Sequence, residues 1–155
     1  MSDNVYLGNP NLKKANTAIE FTQEQILEFM KCKEDPVYFA NNYIKIVSLD
    51  EGLTQFHPYH FQEKLINNFH ENRFNICKMP RQTGKSTTVV SYLLHYAVFN
   101  DSVNIGILAN KAATARELLG RLQTAYENLP RWMQQGIIAW NKGSLELENG
   151  SKILA

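Results

Sequence analysis

The sequence predicts an α/β fold built on a parallel sheet, and three observations carry that reading. Two short apolar stretches, FNICKM (74–79) and VNIGILA (103–109), have the length and composition of buried strands. Each is followed by a segment of helical periodicity, an order that lays consecutive strands parallel. Between the first stretch and its helix lies RQTGKST (81–87), a glycine-containing turn that delivers the chain into a helix N-terminus.

The elements follow in order. Residues 1–20 mix Gly8, Pro10, asparagines and lysines without periodicity and are expected to form a loosely ordered arm. Thr22 with Gln25 three residues later forms a capping-box pattern and opens a helix through QEQILEFMKCK, with Ile26, Phe29 and Met30 on one face. Asp35-Pro36 is a second start signal, an acidic cap and a first-turn proline ahead of VYFANNYIKI. SLDEGLTQFH reads as irregular, and Pro58 opens a third helix with Phe61, Leu65, Ile66 and Phe69 at helical spacing. STTVVSYLLHYAVF is apolar on most sides and predicts a buried helix, while 111–127 turns Ala115, Leu118, Leu119 and Leu122 inward. The end of the chain is a C-terminal β-hairpin: GIIAW, SLELE and SKILA are short strands, the last two joined by Asn149-Gly150 as a two-residue turn.

Composition narrows the class. The chain has 155 residues, 44% hydrophobic and 20% charged, enough for a single domain with a core. A net charge of +1 advertises no nucleic-acid or membrane surface, so Lys13, Lys14, Lys111 and Arg116 are only dispersed candidates for phosphate contact. No stretch approaches the roughly 20 apolar residues of a membrane span, and no membrane partner is expected. Cys32 and Cys77 lack metal or redox spacing, which favours reduced thiols and an intracellular setting. The histidines, His57, His60, His70 and His95, have no carboxylate at ligand spacing and are expected to be structural or solvated.

The chemistry concentrates in KMPRQTGKSTT (78–88). A phosphate-binding loop of the form G-x-x-x-x-G-K-[ST] would place glycine where Met79 stands, so the front half departs from the pattern. The back half keeps it. Gly84 permits close backbone approach, Lys85 brings a charge for the β- and γ-phosphates, and the Ser86 hydroxyl suits a Mg2+ shell. Pro80 stiffens the turn, while Arg81 offers a planar fork of donors that can supply from within a charge other ATPases borrow. These features predict a P-loop NTPase core with a helical N-terminal segment.

PRQTGKST resembles the deviant loop R-Q-x-G-K-[ST] of the large terminase subunits, the DNA-packaging motors of tailed bacteriophages. GNPNLKKAN, KCKEDPVYFANNY, GILANKAATARELLGRL and LPRWMQQGIIAWNKGSLELENGS resemble the myovirus branch in the same order, so the resemblance spans nearly the whole chain. It implies an N-terminal fragment of an ATPase with an incomplete P-loop NTPase core of the ASCE type: residues 1–20 an arm, and 21–155 the first part of the ATPase domain. The implied function is ATP-driven translocation of double-stranded DNA into the prohead, with ATP and Mg2+ as cofactors. Implied partners are the portal protein, the small terminase subunit and further copies in a ring, in the host cytoplasm and transiently on the prohead.

The resemblance also assigns residues. Gln62, in HFQEKL, is expected to recognise adenine with Phe61 beside it, although on its own it is only a polar residue on an amphipathic helix. Arg81 is expected to sense the γ-phosphate, Lys85 to bind the β- and γ-phosphates, Ser86 to hold Mg2+ and Thr87 to lie near the α-phosphate, with Gln82, Thr83 and Gly84 completing the loop. Hydrolysis also needs an apolar strand closed by Asp-Glu, and this sequence has none. Asp50-Glu51 precedes the loop and reads as loop acids. Nucleotide binding without efficient turnover is therefore expected of these residues alone. A helicase-like ATPase and a remnant that binds without hydrolysing remain as alternatives.

Overall fold

Within the expected loose arm, residues 5–13 form a hairpin. Strands β1 (Val5–Tyr6) and β2 (Asn9–Lys13) pair antiparallel, with Tyr6 opposite Asn9. Between them Leu7 and Gly8 both have positive φ, as a two-residue turn of this hand requires. Long-range polar contacts hold the hairpin, which is why periodicity did not reveal it. The Lys13 amide donates to Gln134 Oε1 at 3.0 Å, Gln134 Nε2 donates to the Asn11 carbonyl at 2.8 Å, and the Lys13 ammonium lies 2.9 Å from Glu148. Lys13 is thereby buried and paired, and leaves the set of candidate phosphate contacts; Lys14, Lys111 and Arg116 stay exposed. The computed structural model describes residues 4–48 and 50–155; residues 1–3 of the expected arm and Leu49 lie outside the described residues.

Helices α1 (Gln23–Glu34) and α2 (Pro36–Tyr43) begin where their caps predict. Thr22 and Gln25 exchange both capping-box bonds, and Asp35 Oδ1 accepts from the Val37 and Tyr38 amides at 2.9 Å. On α1 the fully buried residue is Cys32, whereas Ile26 and Met30 of the expected inward face are about half exposed. The second helix stops at Tyr43, short of the predicted IKI. Lys45–Ser48 is instead strand β3, paired with β4 (Gly52–Gln55) across a connection that holds Asp50 and Glu51. Strand β4 thus lies within the segment 48–57 expected to be irregular, and β3 takes the end of the run read as helix: the alternation in KIVS was masked by the helical run before it.

Helix α3 (His60–Glu71) buries Leu65 and Ile66, and α4 (Lys85–Phe99) buries Leu94, Ala97, Val98 and Phe99. Helix α4 is the hub of the core. It packs against α2, α3 and α5 (Ala112–Glu127), which turns Ala115, Leu119 and Leu122 inward as predicted. His95 joins α4 to α1 through a 2.9 Å contact between Nε2 and the Cys32 carbonyl, inside a cage of Phe39, Phe99 and Tyr92.

The expected parallel sheet is a mixed one. Its order is β5-β8-β7-β6, formed by β5 (Asn104–Gly106), β6 (Ile137–Trp140), β7 (Ser144–Leu147) and β8 (Lys152–Leu154). Only β5 and β8 run parallel; β6, β7 and β8 form an antiparallel meander. The β7–β8 turn is also longer than predicted. The Leu147 amide bonds the Ser151 carbonyl, leaving Glu148, Asn149 and Gly150 as a three-residue loop with only Gly150 at positive φ. Asn149 is held instead by donating to the Ala97 and Asn100 carbonyls, and Glu148 turns toward Lys13.

The largest departure concerns FNICKM. Residues 74–79 form no strand and join no sheet among the described residues, and Phe74 and Ile76 face solvent, Ile76 at 101% relative exposure. Leu108, just past β5, is likewise 96% exposed. Cavities of about 260 and 650 Å³ lie between these two segments over α4, lined by Cys77 and Ile107 at one end and Asn75 and Ile105 at the other. Apolar composition reports what a segment is able to bury; burial also needs a neighbouring strand, and 74–79 has none.

Candidate functional site

The loop that follows 74–79 curls tightly into α4. Gln82 at φ +61° and Gly84 at φ +72° are both left-handed, which reverses the chain within a few residues. Gly84 is the N-cap and brings no side chain to the helix end. The first amides of α4, at Lys85, Ser86 and Thr87, therefore face the loop without a capping side chain, the positive end of a helix left open to an anion. Thr88 locks the turn from below: it is fully buried, and both its amide and its hydroxyl bond the Gly84 carbonyl at 3.0 Å.

The Lys85 side chain folds back over the loop. Its ammonium donates to the Met79 carbonyl at 3.1 Å and to the Pro80 carbonyl, and the Thr83 hydroxyl donates to that same Pro80 carbonyl at 3.0 Å. The absent glycine at position 79 thus does not leave the front of the loop unformed. Carbonyls of Met79 and Pro80, which side-chain patterns do not reveal, take up the lysine.

Gln62 reaches this loop from α3. It is 3% exposed; its Oε1 accepts from the Tyr59 amide at 2.8 Å and its Nε2 donates to the Thr83 carbonyl at 3.3 Å. Phe61 does not pack beside it. It stacks on Tyr59 at the surface, with ring centroids 5.8 Å apart and planes 11° from parallel. Tyr59, largely exposed at the start of α3, went unnoticed in the sequence because a tyrosine cap carries no motif.

The structure therefore brings together Gln62, Thr83, Gly84 and Lys85. Arg81 and Gln82 are exposed at the tip of the loop, and Arg81 has no ion-pair partner among the described residues. Ser86 is exposed on the first turn, at the rim of the smaller cavity, while Thr87 faces the opposite side toward Ile46 and Arg121. Asp50 and Glu51 are exposed turn residues, as read. No group of three or more His, Cys, Asp or Glu is placed to hold a metal among the described residues.

A family model described as terminase large subunit, T4likevirus-type, N-terminal, matches residues 76–155. The match takes in the loop, α4, α5 and the whole mixed sheet, more than half of the chain, while Gln62 lies upstream of it. On that match the chain belongs to the family of T4likevirus-type large terminase subunits, whose role is in packaging phage DNA.

Proposed function

We propose that the loop at residues 80–87 binds the triphosphate of ATP and that the chain is the nucleotide-binding part of a motor that drives double-stranded DNA into a prohead. The observation that carries this is the Lys85 ammonium held over a curled loop at an uncapped helix N-terminus. A phosphate entering there meets the α4 amides and displaces carbonyl acceptors from Lys85. Arg81, free at the tip, is placed to swing onto a γ-phosphate, and a charge-assisted fork of this kind is among the stronger anion contacts.

Mg2+ fits this site only in company with nucleotide, since of the first-turn hydroxyls Ser86 is exposed, Thr87 faces the other side and Thr88 is buried against the Gly84 carbonyl. Bound there, the ion would neutralise charge between the β- and γ-phosphates. Gln62 is the residue proposed to read adenine. One Nε2 hydrogen and one Oε1 lone pair are not used by Tyr59 and Thr83. Contacts with DNA, the portal, the small subunit and neighbouring copies, and a site of action in the host cytoplasm and on the prohead, follow as proposals from the family.

Lys85→Ala is expected to abolish binding in a titration with a fluorescent ATP analogue. Unchanged affinity in that variant would remove the phosphate-loop assignment.

A further inference from the structure

We propose that Gln62 is a positioning residue that braces the phosphate loop, so that a single amide sets both the base end and the phosphate end of the site. This rests on the reading of residues 80–87 as a phosphate loop, and adds to it a mechanical role for a residue otherwise assigned to adenine alone.

A helix cap explains only half of what Gln62 does. Its Oε1 bond to the Tyr59 amide is the return half of a capping box and is local to α3. Its Nε2 bond crosses to Thr83, 21 residues along the chain, and lands on the carbonyl immediately before Gly84. From there a chain of polar contacts continues: the Thr83 hydroxyl bonds the Pro80 carbonyl, which also receives Lys85.

Gly84 fits the same account. A Cβ at that position would lie 2.4 Å from Gln62 Nε2, so the amide occupies the space a side chain would need. Two demands therefore converge on glycine, the left-handed φ and the glutamine pressed against it. A buried amide in this position fixes where the loop carbonyls point, and with them the lysine. A base that engages the remaining donor and acceptor of Gln62 pulls on that same network. Base contact and loop shape are then energetically coupled.

The test uses the whole chain and two probes, ATP and inorganic tripolyphosphate, which has no base. Gln62→Met keeps the length of the side chain and removes both hydrogen bonds. A residue that only reads adenine leaves tripolyphosphate affinity untouched, whereas a brace is expected to lower it by about tenfold, the usual worth of one well-placed hydrogen bond. Unchanged tripolyphosphate affinity with weakened ATP affinity would overturn the brace and leave the phosphate loop standing. Failure of the wild-type chain to bind either probe would overturn both.

A ligand-free measurement guards against misfolding. Amide hydrogen exchange across residues 80–84 is expected to quicken about tenfold in Gln62→Met and in Gln62→Glu, which keeps the acceptor for Tyr59 but loses the donor to Thr83. Exchange in α5 serves as the internal reference and is expected to stay the same. Unaltered exchange at 80–84 in both variants, or acceleration shared equally by α5, would overturn the brace.

Discussion

At the scale of single residues, the histidine that no motif claimed has the clearest electrostatic consequence. Burial pushes the His95 imidazole down to about 4, against the partial support of its contact with the Cys32 carbonyl, and nearby His70 adds to the depression. An unfolded histidine takes its proton near 6.5, so the unfolded state binds more protons between the two values. The stabilisation from keeping His95 neutral is complete above about pH 6.5 and is lost as pH falls toward 4, a change on the order of 3 kcal/mol. Chemical denaturation at pH 7.5 and 5.0 is expected to show about 2 kcal/mol of this loss, since pH 5.0 is still above the folded value, and His95→Phe is expected to flatten it. An equally steep profile in the variant would assign the acid sensitivity elsewhere. Arg81 makes a second residue-level prediction. Its free guanidinium suggests a role that begins when charge develops, so in a form of the subunit that hydrolyses ATP, Arg81→Ala is expected to reduce kcat more than it weakens nucleotide affinity. Equal losses in both would make Arg81 a ground-state contact only.

At the scale of elements, what the sequence made legible was whatever is encoded within a few residues. Thr22 with Gln25 and Asp35 with Pro36 name their helix starts because a cap and its acceptor are chain neighbours. Thr22→Ala and Asp35→Ala are each expected to cost about 1 kcal/mol in urea denaturation, with Asp35 the larger because its carboxylate serves two amides. Effects within error for both would mean that packing, not capping, fixes these ends. What was not legible depends on distant partners. The hairpin at 5–13 needs Gln134 and Glu148, and the three-residue β7–β8 loop is selected because Asn149 is anchored at the end of α4. FNICKM has a strand's composition without a neighbour to pair it. In the site itself the motif announced Gly84, Lys85 and Ser86, whereas the Met79 and Pro80 carbonyls that hold the lysine have no side-chain signature.

At the scale of the whole molecule, the chain combines a closed helical core with an open edge. Phe74 and Ile76 on one side of the gap and Leu108 on the other place apolar side chains and unpaired backbone in water together, the combination that promotes strand addition. The 155-residue chain is expected to bind a hydrophobic dye and to self-associate as its concentration rises, visible in light scattering after size-exclusion chromatography. Ile76→Lys is expected to reduce both. A monodisperse wild-type chain that leaves the dye dark would show that this edge is protected in solution.

The ion pair between Lys13 and Glu148 also fixes an order of events in synthesis. The first hairpin docks on Gln134, Ile137 and Glu148, more than a hundred residues later in the chain. At roughly 5–20 residues per second, residues 9–16 leave the ribosome on the order of ten seconds before their seat exists. A segment made before its seat thus settles only after it, and its closure reports that the meander is already in place.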